Sequence, residues 1–445
     1  MEMSTLGTVG VAMIMLLIFL RVPISIAMGG VGFVGLILAV GWPAGGELDL
    51  ERGWNAAISV LALEPFSFVA SFTLVAIPMF IMMGFVAFHA GFTRDLYMTA
   101  RMWLGRAPGG LAQASVAGCA MFSAVSGSSM ATAAAMGKLA VPEMLRYGYN
   151  KGLATGAVAA GGTLGALIPP SILMVLYGIF TEQSISKLLI AGLVPGLLSA
   201  GAYMLMIGVR ASINPSLAPK PEPVSWGARF GSLRGTWSMI VLFVMVMGGI
   251  YAGVVTPTEA AAVGAAGAWF LAWITRRLSK ETARTSIVDT VAQCSSIFAV
   301  VLGAKIFVMF IGITGVASDL AEWSLMFDLS PLALFFVLSL IYVILGTFMD
   351  PLGIMLLTLP VVTPMIEQMG YDLIWFGVIM VKLLEIGLIT PPVGLNVFVL
   401  KGVVGNSVSL SEMFKGITWF IVVDLLVLAL LLIFPVISLW LPSHV

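Results

Sequence analysis

Stretches of near twenty consecutive apolar residues recur along the whole chain, for example 237–255, 259–275, 291–313 and 417–440. A helix of that length spans the roughly 30 Å hydrocarbon core of a bilayer. In hydrocarbon every backbone N–H and C=O must find its partner inside the protein, so only helices and closed barrels cross. The ten-residue alternation of a barrel strand is nowhere visible. Sixty per cent of the 445 residues are hydrophobic and 9% charged, against roughly 25% charged in soluble domains. The chain therefore reads as an all-α polytopic membrane protein. Its 21 basic and 21 acidic residues cancel, which gives no footprint for nucleic acid. Cys119 and Cys294 lie in apolar segments without metal-ligand spacing and read as small core residues. Segment 6–20 has neither a basic leader nor a small-residue cleavage site, and is expected to be a retained span. The longest polar stretch, 214–234, is a loop rather than a soluble domain.

Against this background "GTLGALIPPSILMV" (161–174) is costly, because Pro169 and Pro170 interrupt what is otherwise a membrane helix. A proline in a helix interior costs about 3 kcal/mol, and the carbonyls it frees have no water to turn to. The interruption is not solitary. In "EIGLITPPVGLNVF" (385–398) a shift of 222 residues lays Pro391 and Pro392 on Pro169 and Pro170. The same shift lays Gly370 and Tyr371 on Gly148 and Tyr149, Pro364 on Pro142, and Gly387 on Gly165. At an offset of 224, "TGVASDL" (314–320) matches "AGFTRDL" (90–96). Shared offsets among these punctuating residues indicate an internal repeat.

Charge then orients the halves. Loop 92–106 carries Arg94, Arg101 and Arg106 against Asp95, whereas its counterpart 316–331 carries Asp319, Glu322 and Asp328 and no base. Around the Gly–Tyr turn Arg146 and Lys151 are answered by Glu367 and Asp372. Since cytoplasmic loops collect Lys and Arg, the halves cross the membrane in opposite senses, as in the inverted repeats of secondary transporters. Residues 5–20 are expected to cross inward to Arg21, 24–42 outward to the acidic stretch 47–51, and 68–90 back. Loop 210–234, the 276–284 cluster, Lys401 and Lys415 then fall on the cytoplasmic side, and the C-terminus outside.

Residues 107–145 lie between two basic loops and must enter and leave on one side. Their midpoint, "FSAVSGSSMATAAAMG" (122–137), is small and hydroxyl-rich. A re-entrant hairpin fits, since broken backbone at depth is tolerated where it is buried in protein or lines a cavity. Two full helices packed through small residues are the competing arrangement. The matching segment, 332–366, has "ILGTFMDPLG" (344–353) at its midpoint, and Asp350 there reads both as the cap of the helix opening at Pro351 and as an ion-site carboxylate. Each half thus offers a hairpin tip and a double-proline break, in 151–180 and 373–400. Breaks free carbonyls for a cation, and half-helix N-termini present N–H groups to an anion. Ser126, Gly127, Ser128 and Ser129 with the backbone at Ile168 and Pro169 form one candidate ion set. Gly346, Thr347, Asp350, Thr390, Pro391 and Gly394, with the Asn396 side-chain oxygen, form the other. Ser128, Thr132, Ser171 and Asn396 are the candidate substrate contacts. Lys382 and Glu385, three apart on one helix face, are expected to pair with each other. For Lys305, in the apolar span 297–313, snorkelling and a distant acidic partner both stay open.

These residues resemble a known family. "GSSMATAAAMGKLAVPEMLRYGYNKGLATG", "GTLGALIPPSI" and "EIGLITPPVGLNVF" are similar to the large membrane subunit of tripartite ATP-independent periplasmic (TRAP) transporters, over essentially the whole chain. The resemblance implies an elevator-type importer in the bacterial inner membrane, driven by sodium (Na+) and carrying organic acids such as C4-dicarboxylates. Its implied partners are a small four-helix membrane subunit, here a separate chain, and a soluble periplasmic binding protein. It implies sodium at the segments around 126–129, 168–171, 346–350 and 390–396, with no organic cofactor or transition metal.

The nearest rival is a stand-alone sodium/dicarboxylate symporter of the same architecture. Its hairpin tips are expected to carry Ser-Asn-Thr runs, whereas this one reads "SGSSMAT". An intramembrane hydrolase needs a base beside its serine, and the two histidines, His89 and His444, stand near a helix end and the C-terminus. A passive channel sits poorly with two inverted breaks. The expected organisation is N-terminal scaffold helices in 1–67, a first repeat in 68–210, linker and scaffold helices in 211–289, and a second repeat in 290–445. Hairpins and broken helices are expected to move as one body against a scaffold of the remaining helices. No arginine occurs in these core segments, so the cation is expected to balance the substrate carboxylate.

Overall fold

A computed structural model describes residues 3–42, 47–219, 225–316, 319 and 331–444. Regular structure in all of these is helical. The principal helices are α1 (Met3–Phe19), α2 (Ile24–Gly41), α3 (Leu50–Val69), α4 (Ala76–His89), α5 (Phe92–Leu104), α6 (Gly110–Ser126), α7 (Ser129–Arg146), α8 (Lys151–Thr163) and α9 (Ile172–Phe180). They continue with α10 (Ile185–Ile213), α11 (Trp226–Phe243), α12 (Pro257–Ile274), α13 (Lys280–Thr314), α14 (Pro331–Phe348), α15 (Pro351–Gln368), α16 (Leu373–Ile389), α17 (Leu395–Val404) and α18 (Leu410–Ile433). Among the described residues seven stretches are long and apolar enough to cross a membrane, including Ile24–Gly41, Ile185–Ile213, Lys280–Thr314 and Leu410–Ile433. The chain is thus a multi-pass membrane protein.

The starts of these helices follow local chemistry. Asp49 accepts from the Arg52 N–H at 2.9 Å to open α3, and Thr256–Glu259 and Ser409–Glu412 close reciprocal capping boxes at α12 and α18. Repeat-related glycines end corresponding elements. Gly91 and Gly315 take φ of +78° and +70° after α4 and α13, and Gly148 and Gly370 take +79° and +75° after α7 and α15. Both Pro169–Pro170 and Pro391–Pro392 peptide bonds are cis. Acidic residues Glu322 and Asp328 of the loop 316–331 lie outside the described residues.

Each half holds a helical hairpin and a broken helix. Hairpin 1 is α6 and α7, turning at Gly127 and Ser128; hairpin 2 is α14 and α15, turning at Met349 and Asp350. The first break separates α8, and a short turn Leu164–Ala166, from α9; the second separates α16 from α17. Hairpin 2 crosses α16 closely. A Cβ on Gly387 would stand 2.6 Å from the Gly346 Cα, closer than real Cβ contacts come, so the crossing requires glycine on both sides.

Around these, α2 packs along α13, α4 packs against α12 and α13, and α18 lies against α8, α10 and α16. The last contact holds a buried ion pair that the sequence did not suggest. Lys382 of α16, fully buried, bonds Asp424 of α18 and donates to the Ser199 hydroxyl of α10 at 3.1 Å. The expected Lys382–Glu385 pair does not form, because Glu385 is engaged by Ser129 on hairpin 1. Helix spacing put the two side chains within reach, but a buried ammonium takes whichever carboxylate the packing brings into full contact. Lys305 meets no carboxylate among the described residues; its Nζ stands 5.4 Å from the centre of the Phe68 ring.

Asp424→Ala alone strands the Lys382 charge in the interior and is expected to destabilise the protein by roughly 3–5 kcal/mol. The double variant Lys382→Met/Asp424→Leu should recover most of that loss in detergent thermal unfolding. Equal destabilisation by the single and double variants would show that the pair itself contributes nothing.

Candidate functional site

The first hairpin tip is built against the first break. α6 ends at Gly127, whose φ of +60° suits glycine, and Ser128 caps α7 by accepting from the Ala131 N–H at 3.4 Å. The Gly127 carbonyl accepts from the Ile172 N–H at 3.3 Å, and a Cβ on Gly127 would stand 2.5 Å from the Pro170 carbonyl oxygen. On the other flank a Cβ on Gly165 would meet the Ser128 carbonyl at 2.7 Å. Residues 126–129 and 165–172 therefore form one unit. Within it the Ser126 and Thr132 hydroxyls bond each other at 2.8 Å, and Ser171 caps α9 by accepting from the Met174 N–H at 3.3 Å.

In the second half Asp350 caps α15, accepting from the Leu352 and Gly353 N–H groups at 3.1 and 3.4 Å. Thr347 donates to the Ile344 carbonyl at 2.7 Å and Thr390 to the Ile386 carbonyl at 2.6 Å, each turned onto its own helix. Gly394 opens α17 at a φ of +63°. Asn396, fully buried, donates to the Ala159 carbonyl of α8 at 3.4 Å, and its own oxygen has no hydrogen-bond partner among the described residues.

A cavity of about 290 Å³ brings the two halves together. Gly127, Ser128 and Ser129 line it from hairpin 1, Asp350 from hairpin 2, Glu385 from α16, and Gln293 and Ser296 from α13. Ser129 donates to Glu385 Oε1 at 2.7 Å, which bridges the repeats; Glu385 Oε2 has no hydrogen-bond partner among the described residues. An adjoining cavity of about 210 Å³ is lined by Ser126 and again by Ser128, Ile172 and Gln293. The remaining candidates, Thr132, Ile168, Pro169, Ser171, Gly346, Thr347, Thr390, Pro391, Gly394 and Asn396, line neither cavity.

Three polar residues lining the larger cavity escaped the sequence reading. Glu385 was assigned to Lys382, although an ionisable residue inside an apolar span is itself a functional pointer. Gln293 and Ser296 sit three apart at the start of the apolar run 291–313, a polar notch on one helix face. In the larger cavity the polar donors and acceptors are hydroxyls, an amide and carboxylates, with no Lys, Arg or His lining it among the described residues. No group of three His, Cys, Asp or Glu residues is placed to hold a metal among the described residues. The set is therefore one of hard oxygen donors.

The crystal structure of the Alcanivorax borkumensis YdaH transporter matches this chain with a TM-score of 0.63, covering 95% of this chain and 99% of that one. At 15% sequence identity the likeness is one of fold. A Pseudomonas aeruginosa protein, the C4-dicarboxylate TRAP transporter large permease protein DctM, is 36% identical over 389 residues, 87% of this chain and 90% of its own. The Vibrio cholerae sialic acid TRAP transporter large permease protein SiaM is 31% identical over 423 residues, 93% of this chain and 97% of its own. These relatives are transporter permeases, not enzymes. The family described as "Tripartite ATP-independent periplasmic transporter, DctM component" matches residues 11–437, and the chain belongs to that family.

Proposed function

We propose that the chain is the large permease of a sodium-coupled uptake system that carries a small organic acid across the bacterial inner membrane by an elevator movement. The observation that carries this reading is the charge balance at the tip cavity. Asp350 and Glu385 face one space, and the buried cation near them, Lys382, is engaged by Asp424. Adding a substrate carboxylate to two protein carboxylates in a low-dielectric site is prohibitive unless mobile cations enter with it. Sodium suits that role, because hydroxyl, carbonyl and carboxylate oxygens at the tips and breaks ligate a hard cation. An acid is the substrate class suggested by relatives named for C4-dicarboxylates and sialic acid.

Hairpins 1 and 2 and helices α8, α9, α16 and α17 would travel together, with the hairpins entering and leaving on one side. α10 and α18 would travel with them, because Lys382 ties α16 to Asp424 and Ser199 and because α18 packs against α8. The scaffold is then smaller than the sequence suggested and is centred on α2, α4, α12 and α13. A small four-helix membrane subunit would complete that scaffold in the lipid, and a periplasmic binding protein would deliver the acid.

Uptake into proteoliposomes holding both membrane subunits should require the binding protein outside and an inward sodium gradient. Uptake indifferent to sodium would sink the coupling, and uptake without binding protein would favour a stand-alone symporter. A thermal-shift screen of the cognate binding protein would name the acid. Asp350→Asn keeps a capping oxygen but removes the charge, and Glu385→Gln keeps an acceptor for Ser129. Each should raise the half-saturating sodium concentration about ten-fold, about 1.4 kcal/mol. Unchanged sodium dependence in Asp350→Asn would reduce that residue to a helix cap.

A further inference from the structure

The 210 Å³ cavity beside the tip leads away from it, between hairpin 1 and the scaffold helices α4 and α13. Its α7 wall runs Ser128, Ala131, Ala135, Lys138, a spacing that keeps one helix face toward the groove for about 15 Å. Across from it stand His89 at the end of α4 and Asp289 on α13. Both belong to the end of the molecule where basic residues gather: His89 precedes the loop carrying Arg94, Arg101 and Arg106, and Asp289 follows Arg284. The cavity of about 730 Å³ that contains Glu182 and Lys305 shares no lining residue with either tip cavity. By the bias of Lys and Arg toward cytoplasmic loops, the basic end to which the groove leads is the cytoplasmic one.

We propose that this groove is the release path for the carried acid and that Lys138 is its positioning residue, drawing the substrate carboxylate off the hairpin tip toward the cytoplasmic mouth. The inference rests on the uptake function proposed above. Lys138 is the one Lys or Arg lining either tip cavity among the described residues. It is exposed and enters no ion pair among them. The carboxylate on the facing wall, Asp289, is engaged by His89 Nε2 at 2.8 Å instead. Between tip and mouth the α4 wall is apolar, with Ile81, Phe85 and Phe88, and α13 adds the uncharged Gln293. An anion leaving the sodium-balanced tip meets its next favourable charge at Lys138, and low-dielectric walls lengthen the reach of that charge.

The test is initial-rate uptake of radiolabelled succinate, or of the acid that the binding-protein screen returns in its place, into proteoliposomes with the complete three-component system. Binding protein supplied only outside loads only permeases whose periplasmic face is outward, so the lumen is their cytoplasmic side. Lys138→Gln should lower kcat about three- to ten-fold, with the KM for loaded binding protein unchanged, and Lys138→Arg should restore it. Raising lumenal potassium chloride from about 0.01 to 0.15 M shortens the screening length from about 30 to 8 Å. It should slow the wild type and leave Lys138→Gln unaffected. A wild type without sodium-driven uptake would overturn the function proposed above. With an active wild type, normal kcat in Lys138→Gln would overturn the release path alone. So would equal loss in the Gln and Arg variants at unchanged detergent melting temperature, since that would mark a packing role.

Discussion

A backbone N–H or C=O released from a helix in hydrocarbon has to find a partner nearby, and the central architecture is built around two such breaks. Each double proline frees backbone that a straight helix would have satisfied. In the first half the hairpin tip supplies the closure: the Gly127 carbonyl takes the Ile172 N–H, and the two backbones approach too closely to admit a side chain at Gly127 or Gly165. In the second half α16 and hairpin 2 touch through Gly387 and Gly346. Small residues at these crossings therefore do more than fill space. They let irregular backbone from two segments meet, so that polar atoms can exist at depth without facing lipid.

Charge obeys the same rule less forgivingly. Lys382 is tolerated because Asp424 and the Ser199 hydroxyl surround it, and that contact joins three helices. Glu385, one turn along α16, is satisfied on one oxygen by Ser129 and left open on the other, facing a cavity that also holds Asp350. Lys382 and Glu385 thus stand one turn apart with different surroundings: Lys382 clamps α16 to Asp424, whose Oδ2 has no hydrogen-bond partner among the described residues, while Glu385 faces the cavity.

Much of this was legible in the sequence, because proline and glycine act through the backbone. Shared offsets of Pro391 on Pro169, of Gly370 on Gly148 and of Gly315 on Gly91 correspond to equal backbone states in the folded chain. Asp350 before Pro351 announced a helix start, and it caps α15. What escaped were contacts between distant segments. Spacing on α16 suggested Lys382–Glu385, but the partners come from α18 and α7, 42 and 256 residues away. Thr347 and Thr390 each donate a hydroxyl proton to a carbonyl of their own helix, a local bond that the pattern of the sequence does not announce. Gln293 and Ser296 carry no local signal stronger than two polar positions at the edge of an apolar run.

The two repeats match in backbone and diverge in chemistry, and the divergence is directional. Under the shift of 222, Asp350 falls on Ser128, Glu385 on Thr163 and Lys382 on Ala160. Ser128 and Asp350 do the same structural job, each capping the second arm of its hairpin. The first repeat thus contributes neutral hydroxyls where the second contributes charge. A carboxylate at position 128 as well would set a third negative charge around the cavity of about 290 Å³ that Asp350 and Glu385 already line, where burial leaves their repulsion poorly screened. Keeping the caps equivalent while making only one of them ionic preserves the backbone match between the repeats. It also leaves the first tip free to offer hydroxyls and N–H groups to an anion. The Ser129–Glu385 bond spans that asymmetry, joining the neutral tip of one repeat to the charged helix of the other.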